Sequence, residues 1–425
     1  MKKQLFSLGI FTLLTVGATA QIIIDTVSVG PNYASQKWYS LQNDEVATQS
    51  KDNWDLAFEI TGFSSAVYAN TQKTNFAVYN APFEINDYGI LDTTGISSWP
   101  MMFNSDTTWT IGALNKGADP SDPFDMGWGV YNMSTHFVVG DSCFVIKLSS
   151  SSYKKLRIIS LASGVYTFEY ANLNGTNSFT QTIAKSTYPG KNFAYADLTA
   201  NMVIDREPVS ANWDLTFGRY TAFVNAPAPT PYPVVGIMSN KGVSVAQANN
   251  VSGPVTYSNW ASQVYNTDIT TIGHDWKTVD ISTSTWKVVN DTVYFVSDKY
   301  SNIWKVRPIS FGGAGNGDFI FSKEKMYATS TVGVTENGKA AVSQMLLYPN
   351  PASGSSTNLV FSNKKAQSVS VSIVDMTGKL ISTTSVETAE GVTVHNLSIA
   401  GIQAGVYFVK VDTGNSSTIQ KLIIQ

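Results

Sequence analysis

Two segments set the pattern of the chain. Residues 138–147 (VVGDSCFVIK) and 288–297 (VVNDTVYFVS) are each a pair of β-branched and aromatic runs joined by Gly-Asp or Asn-Asp. Those joining pairs tolerate positive φ, so each segment predicts a β-hairpin. Just downstream, Lys155-Leu156-Arg157-Ile158 and Lys305-Val306-Arg307 alternate charged with aliphatic residues. A period of two places one face on a core and the other in water. No stretch of 12 or more residues in the body of the chain carries a 3.6-residue period, so the pattern predicts antiparallel β-structure throughout.

The pattern also repeats. NWDLAF at residues 53–58 returns as NWDLTF at 212–217, an offset of 159. Residues 138–160 align without a gap on 288–310, an offset of 150. The second copy is therefore shorter between the two blocks, as loop shortening permits. Phe319-Ile320-Phe321 then matches Tyr166-Thr167-Phe168 if three residues are inserted, which places FGGAGNGDF (311–319) in a hairpin loop. Within the motif Trp54 and Trp213 share a strand face with Leu56 and Leu215, and the adjacent aspartates face the other side. Each tryptophan is expected to be a core anchor, worth about 3 to 5 kcal/mol on truncation to alanine.

The ends of the chain change the picture. Met1-Lys2-Lys3, a short apolar run and Ala18-Thr19-Ala20 form a secretory signal peptide pattern over residues 1–20. No later apolar run is long enough for a membrane helix, so no integral span is expected after signal removal. Cys143 is the single cysteine, which excludes an intrachain disulfide. Lys and Arg number 28 against 31 Asp and Glu, a near balance without the basic patch that nucleic-acid binding needs.

Residues 38–58 (WYSLQNDEVATQSKDNWDLAF), followed by residues 153–173 (YKKLRIISLASGVYTFEYANL), resemble the HmuY-like family, exported all-β haem-binding proteins of Gram-negative bacteria. NWDLTFGRY (212–220) and IWKVRPISFGGAGNGDFIFSKEKM (303–326) resemble the same pattern. The resemblance implies two tandem antiparallel β-rich domains, copy one at 21–185 and copy two at 186–330. It also implies haem held between two axial side chains. The three histidines, His136, His274 and His395, are spread over three regions, so neither copy can supply two. A His-Met or Met-Met pair from His136, Met101, Met102 and Met133 is the remaining candidate, because thioether and imidazole both ligate haem iron.

After a polar linker at 331–345, short alternating strands separated by turn residues predict a small C-terminal β-sandwich at 346–425. Tyr348-Pro349-Asn350-Pro351, then Asp375-Met376-Thr377-Gly378-Lys379, then Gly405-Val406-Tyr407-Phe408 and a terminal KLIIQ closely resemble the type A C-terminal sorting domain of the type IX secretion system. That resemblance implies recognition by the export machinery and an extracellular or outer-membrane location. Pro349 and Pro351 fix an extended lead-in, Gly378 suits a tight turn, and Gly405 opens the last hairpin.

Motifs for catalysis are missing: the chain has no G-x-S-x-G, H-E-x-x-H, P-loop or Cys-x-x-Cys. The DPSDPFD segment (119–125) reads as a Pro-rich turn, and Cys143, which aligns with Val293, reads as a packed small hydrophobe. The 51 aromatic residues are the main binding resource. The expectation is a non-enzymatic surface protein that binds haem, or alternatively a module that binds glycan or a surface protein through aromatic loops.

Overall fold

The structure is a computed structural model that describes residues 22–225, 228–328, 342–363, 365–389, 391–413 and 417–425. The signal peptide and most of the expected linker lie outside these residues. Strands account for 51% of the chain and helical turns for 6%, which settles the class as all-β. The chain divides into two compact units, residues 1–329 and 330–425.

Within the first unit the repeated motif forms the strands Leu56–Glu59 and Leu215–Asn225. Neither pairs with the strand that precedes it in its own copy. Leu56–Glu59 pairs with Phe193–Asp197, which leads into the second motif, and Leu215–Asn225 pairs with Ser35–Ser40, which leads into the first. The strand Ile23–Ser28 completes the exchange by pairing antiparallel with Asp318–Tyr327, at the far end of the unit. Phe179–Ala184 holds the matching place on Val165–Asn172.

Two lobes result. Residues 51–204 form one lobe in continuous order, while 22–50 together with 205–328 form the other, as if the same ring of strands were cut at a different point. The boundary expected at 185/186 is thus crossed by pairings in both directions. Cores follow the pairings: Ala194, Ala196 and Leu198 are buried with Leu56, Phe58 and Phe168, whereas Val27, Val29, Tyr39 and Leu41 are buried with Leu215, Phe217 and Phe321.

Two local expectations are corrected. Residues 138–147 are not a hairpin: Phe137–Gly140 and Ser142–Lys147 lie one after the other along the same neighbour, Tyr153–Ala162, interrupted at Asp141. The glycine that suggested a turn is required for another reason. A Cβ on Gly140 would lie 1.8 Å from the Ile158 carbonyl oxygen, so only glycine lets the two backbones approach this closely. The corresponding runs in the second copy, Thr285–Val288 and Val293–Ser297, form no hairpin either, but pair with Lys277–Asp280 and Ile303–Phe311 respectively.

The second correction concerns the alternating strand. Leu156 and Ile158 are fully buried as expected, but Lys155 on the opposite face is only 3% exposed. The short helical turn Ile85–Gly89 covers that face, with the Lys155 and Arg157 heads 4.9 and 4.4 Å from the centre of the Tyr88 ring. Long cationic stems pack on apolar surface and stack on aromatic faces, so period-two alternation does not guarantee a wet face. Ala81, Leu91, Trp99 and Cys143 complete this outer layer.

Cys143 is fully buried, and burial pushes its thiol up to about 11. Thiolate is the reactive form, so the native protein is expected to resist maleimide at pH 7.5 and to label only when unfolded. Cys143→Val is expected to cost less than about 1.5 kcal/mol, as near-isosteric core swaps do; a chemical-denaturation midpoint checks it. FGGAGNGDF joins two paired strands as expected, through a single turn of α-helix at Gly313–Asn316.

In the second unit, Val342–Tyr348, Ser356–Asn363 and Gly391–Ser398 form a three-stranded sheet, and four further strands form the other. Leu347, Leu359 and Phe361 from the first sheet pack with Val371, Ile373, Val409 and Leu422 from the second. This is the predicted β-sandwich.

Candidate functional site

The strand exchange explains letters shared by the two copies of the motif. Asp55 is fully buried and Asp214 is 6% exposed. The Leu198 N–H donates to Asp55 Oδ2 at 2.7 Å, and the Leu41 N–H donates to Asp214 Oδ2 at 2.8 Å. Each aspartate therefore grips the backbone of the incoming chain two residues after the carbonyl its own N–H binds, that of Ala196 or Tyr39. A second pair of residues works in parallel. Asn70 Nδ2 donates to the Trp54 carbonyl at 2.9 Å, and Asn240 Nδ2 to the Trp213 carbonyl at 2.7 Å. These asparagines sit outside the hexapeptide at unequal offsets, so sequence comparison alone left them unmarked.

The two tryptophans of the motif have different surroundings. Trp213 is 2% exposed, and its buried Nε1 has no hydrogen-bond partner. Trp54 is half-buried, meets Tyr195 edge-on with ring centres 5.3 Å apart, and has the Arg206 guanidinium 5.7 Å from its own. Arg206 itself is 3% exposed and joins both lobes by donating to Asn53 Oδ1, Gln36 Oε1 and the Ser50 carbonyl.

Trp54 lines a cleft between the lobes with a cavity of about 100 Å³. Its lining is rich in aromatic rings, with Tyr68, Trp109, Phe193, Tyr195 and Tyr220 beside Trp54. Amides and hydroxyls from Gln36, Asn70, Gln72, Asn104, Ser105 and Thr221 line it too. Bonds between the lobes hold the walls in place: Thr71 Oγ1 to Thr221 Oγ1 at 2.9 Å, Gln72 Nε2 to Thr221 Oγ1 at 2.7 Å, and Trp109 Nε1 to the Ser239 carbonyl at 2.8 Å. Two buried polar atoms on lining residues have no partner, the acceptor Gln72 Oε1 and the donor Arg219 Nε. Unsatisfied buried polar atoms are rare because each costs about 1 to 3 kcal/mol.

The haem-ligand candidates are placed elsewhere. Met102 is 5% exposed in the first core, while Met101 and Met133 are 46% and 66% exposed. His136 lies in the exposed turn after Gly129–Asn132, at φ 59, with Nδ1 2.7 Å from the Tyr131 hydroxyl. Met133 shares that turn, but the shallow cleft lined by His136 contains no methionine and no second histidine. His274 donates to or accepts from the Tyr220 hydroxyl at 3.1 Å, and burial lowers its pKa. Asp119 and Asp122 cap their own turns by accepting from the Ser121 and Phe124 N–H groups. Among the described residues no cluster of three His, Cys, Asp or Glu side chains is arranged to hold a metal ion.

In the second unit Tyr348 ends the first strand, and Pro349 accepts from Thr357 Oγ1 at 2.8 Å. Asn350 ties this lead-in to the last strand, donating to the Lys421 carbonyl at 2.7 Å and accepting from the Ile423 N–H at 2.9 Å. Pro351 follows, Gly378 turns at φ 85, and Gly405 opens a strand paired with Ser417–Ile424. The first and last motif segments, far apart in sequence, are thus clasped together.

Residues 346–425 match the secretion system C-terminal sorting domain. The match stops at residue 346 and does not reach the part that resembles HmuY-like proteins. No curated protein matches the chain in sequence. A sorting domain of the type IX system carries its protein to the outer-membrane surface or the extracellular space, and its partner is the secretion machinery. Among the described residues no helix is long and apolar enough to cross a membrane.

Proposed function

We propose that the exported protein is a non-enzymatic binding protein that holds a saccharide ring in the cleft between its two lobes. One observation carries this reading: aromatic rings and amide and hydroxyl groups line one cleft together, and two buried polar atoms on its lining residues lack partners. A sugar ring offers what those walls lack, an apolar C–H face to stack on an indole or phenol and an equatorial belt of hydroxyls to donate and accept. Gln72 Oε1 takes a hydroxyl donor and Arg219 Nε a hydroxyl oxygen. Haem is less well served, because it needs two axial donors facing one cleft and His136 stands in its cleft as a lone donor.

The test is a glycan array followed by calorimetric titration of the hits. Trp54→Ala is expected to weaken binding about tenfold or more, equivalent to about 1.4 kcal/mol, while near-UV circular dichroism stays native. Lack of binding to any saccharide at millimolar concentration overturns the reading. A saturable haem Soret shift lost in His136→Ala would put a haemophore in its place.

A further inference from the structure

We infer that the saccharide taken by this cleft is an acidic one, whose carboxylate is bound by Arg219; this inference rests on the saccharide reading above. The cleft wall carries two cations, Lys51 and Arg219, and among the described residues that line it there is no aspartate or glutamate. The two cations differ. Lys51 Nζ is paired with Asp52 at 2.6 Å and reaches the Gln72 carbonyl at 3.2 Å. Arg219 has a buried Nε with no partner at all.

Strand alternation puts Arg219 on the same face as Thr221, and Thr221 is the residue bonded to Thr71 and Gln72 at the cleft wall. A guanidinium stays charged at every physiological pH, and its planar fork matches a carboxylate through two parallel N–H donors. A half-buried guanidinium with an empty Nε is therefore the half of an ion pair that a ligand carboxylate completes. Gln72 Oε1, also unpartnered, requires a donor, which a carboxylate does not have and a neighbouring ring hydroxyl does. A ring bearing both groups, of the uronic acid class, satisfies both atoms at once. The aromatic faces of Trp54 and Trp109 then cover its apolar side.

Calorimetry on the full chain decides the point, with a glucuronate-containing disaccharide and its glucose counterpart as probes. The acidic disaccharide is expected to bind at least tenfold more tightly in 50 mM salt. That preference is expected to shrink in 0.5 M salt and to vanish in Arg219→Met, the acidic disaccharide losing more affinity than the neutral one. Arg219→Lys, which keeps the charge without the fork, is expected to recover part of the preference and guards against a folding defect in the methionine variant. Equal affinities for the two disaccharides in the wild type overturn the acidic inference and leave the saccharide reading standing. Absence of binding for both overturns the acidic inference, and the saccharide reading falls with it only if the glycan array is empty as well.

Discussion

A chain that begins at residue 51 is expected to lose its second lobe and keep its first. The deleted strands supply Val27, Val29, Trp38, Tyr39 and Leu41, each no more than 1% exposed. Full burial of such side chains contributes roughly 2 kcal/mol apiece, on the order of 10 kcal/mol in all, which is as much as the whole stability of a typical domain. Two strands, Asp318–Tyr327 and Leu215–Asn225, also become bare edges along which other chains can pair. Gly317 loses its seat as well, since the Val29 N–H donates to its carbonyl at 3.1 Å. Residues 51–204 lose none of their own pairings. Limited proteolysis with mass spectrometry should show a protected fragment near 51–204 and digestion of 205–328, with protection restored by a synthetic peptide of residues 22–50. Protection of 205–328 without the peptide would sink this account.

The same exchange shows what the sequence could and could not tell. Strand character, the repeat and the sandwich of residues 346–425 are local properties, written in β-branched runs, turn residues and fixed motif spacing. Partner choice is not local. Ser35–Ser40 and Phe193–Asp197 both precede an NWDL motif, and nothing in either marks that it pairs with the strand of the other copy. A contact between residues 27 and 319 leaves no trace in a periodicity read over ten residues. Lys155 misled for a related reason, because the turn at Ile85–Gly89 that covers it comes from a distant part of the chain. The cleft was illegible for both reasons together, since residues of both lobes line it. Trp54 was noticed as one half of a repeat, and its partial exposure follows only from where the lobes meet.

Replacing either motif aspartate with alanine is expected to be the most damaging point change in the first unit, and the two should differ. Asp214→Ala leaves the Leu41 N–H buried and unbonded, a loss of about 1 to 3 kcal/mol. Asp55→Ala does the same to the Leu198 N–H and also strips Lys73, whose ammonium lies 2.7 Å from Asp55 Oδ1, of its counter-ion. Loss of this partly exposed ion pair adds to the cost, so Asp55→Ala should lower the denaturation midpoint further. The pH dependence separates hydrogen bonding from charge. Burial raises Asp214 from its ordinary 3.8 to about 6, and raises the equally enclosed Glu207 to about 7. A carboxyl that holds its proton more tightly when folded favours the folded state below the unfolded pKa, and that contribution fades as the pH rises through the folded value. Between about pH 4 and 7 these two carboxyls therefore bind more protons in the folded chain than in the unfolded one, and their contribution to thermal stability should rise as the buffer is taken from pH 7.5 to 5. Asp214→Asn keeps a carbonyl oxygen for the Leu41 N–H and cannot titrate, so it should retain the fold with a shallower slope over that range. A slope identical to wild type in the Asp214→Asn protein would show that this carboxylate is ionised and fully compensated at neutral pH, and that its grip on the exchanged strand is a charged one.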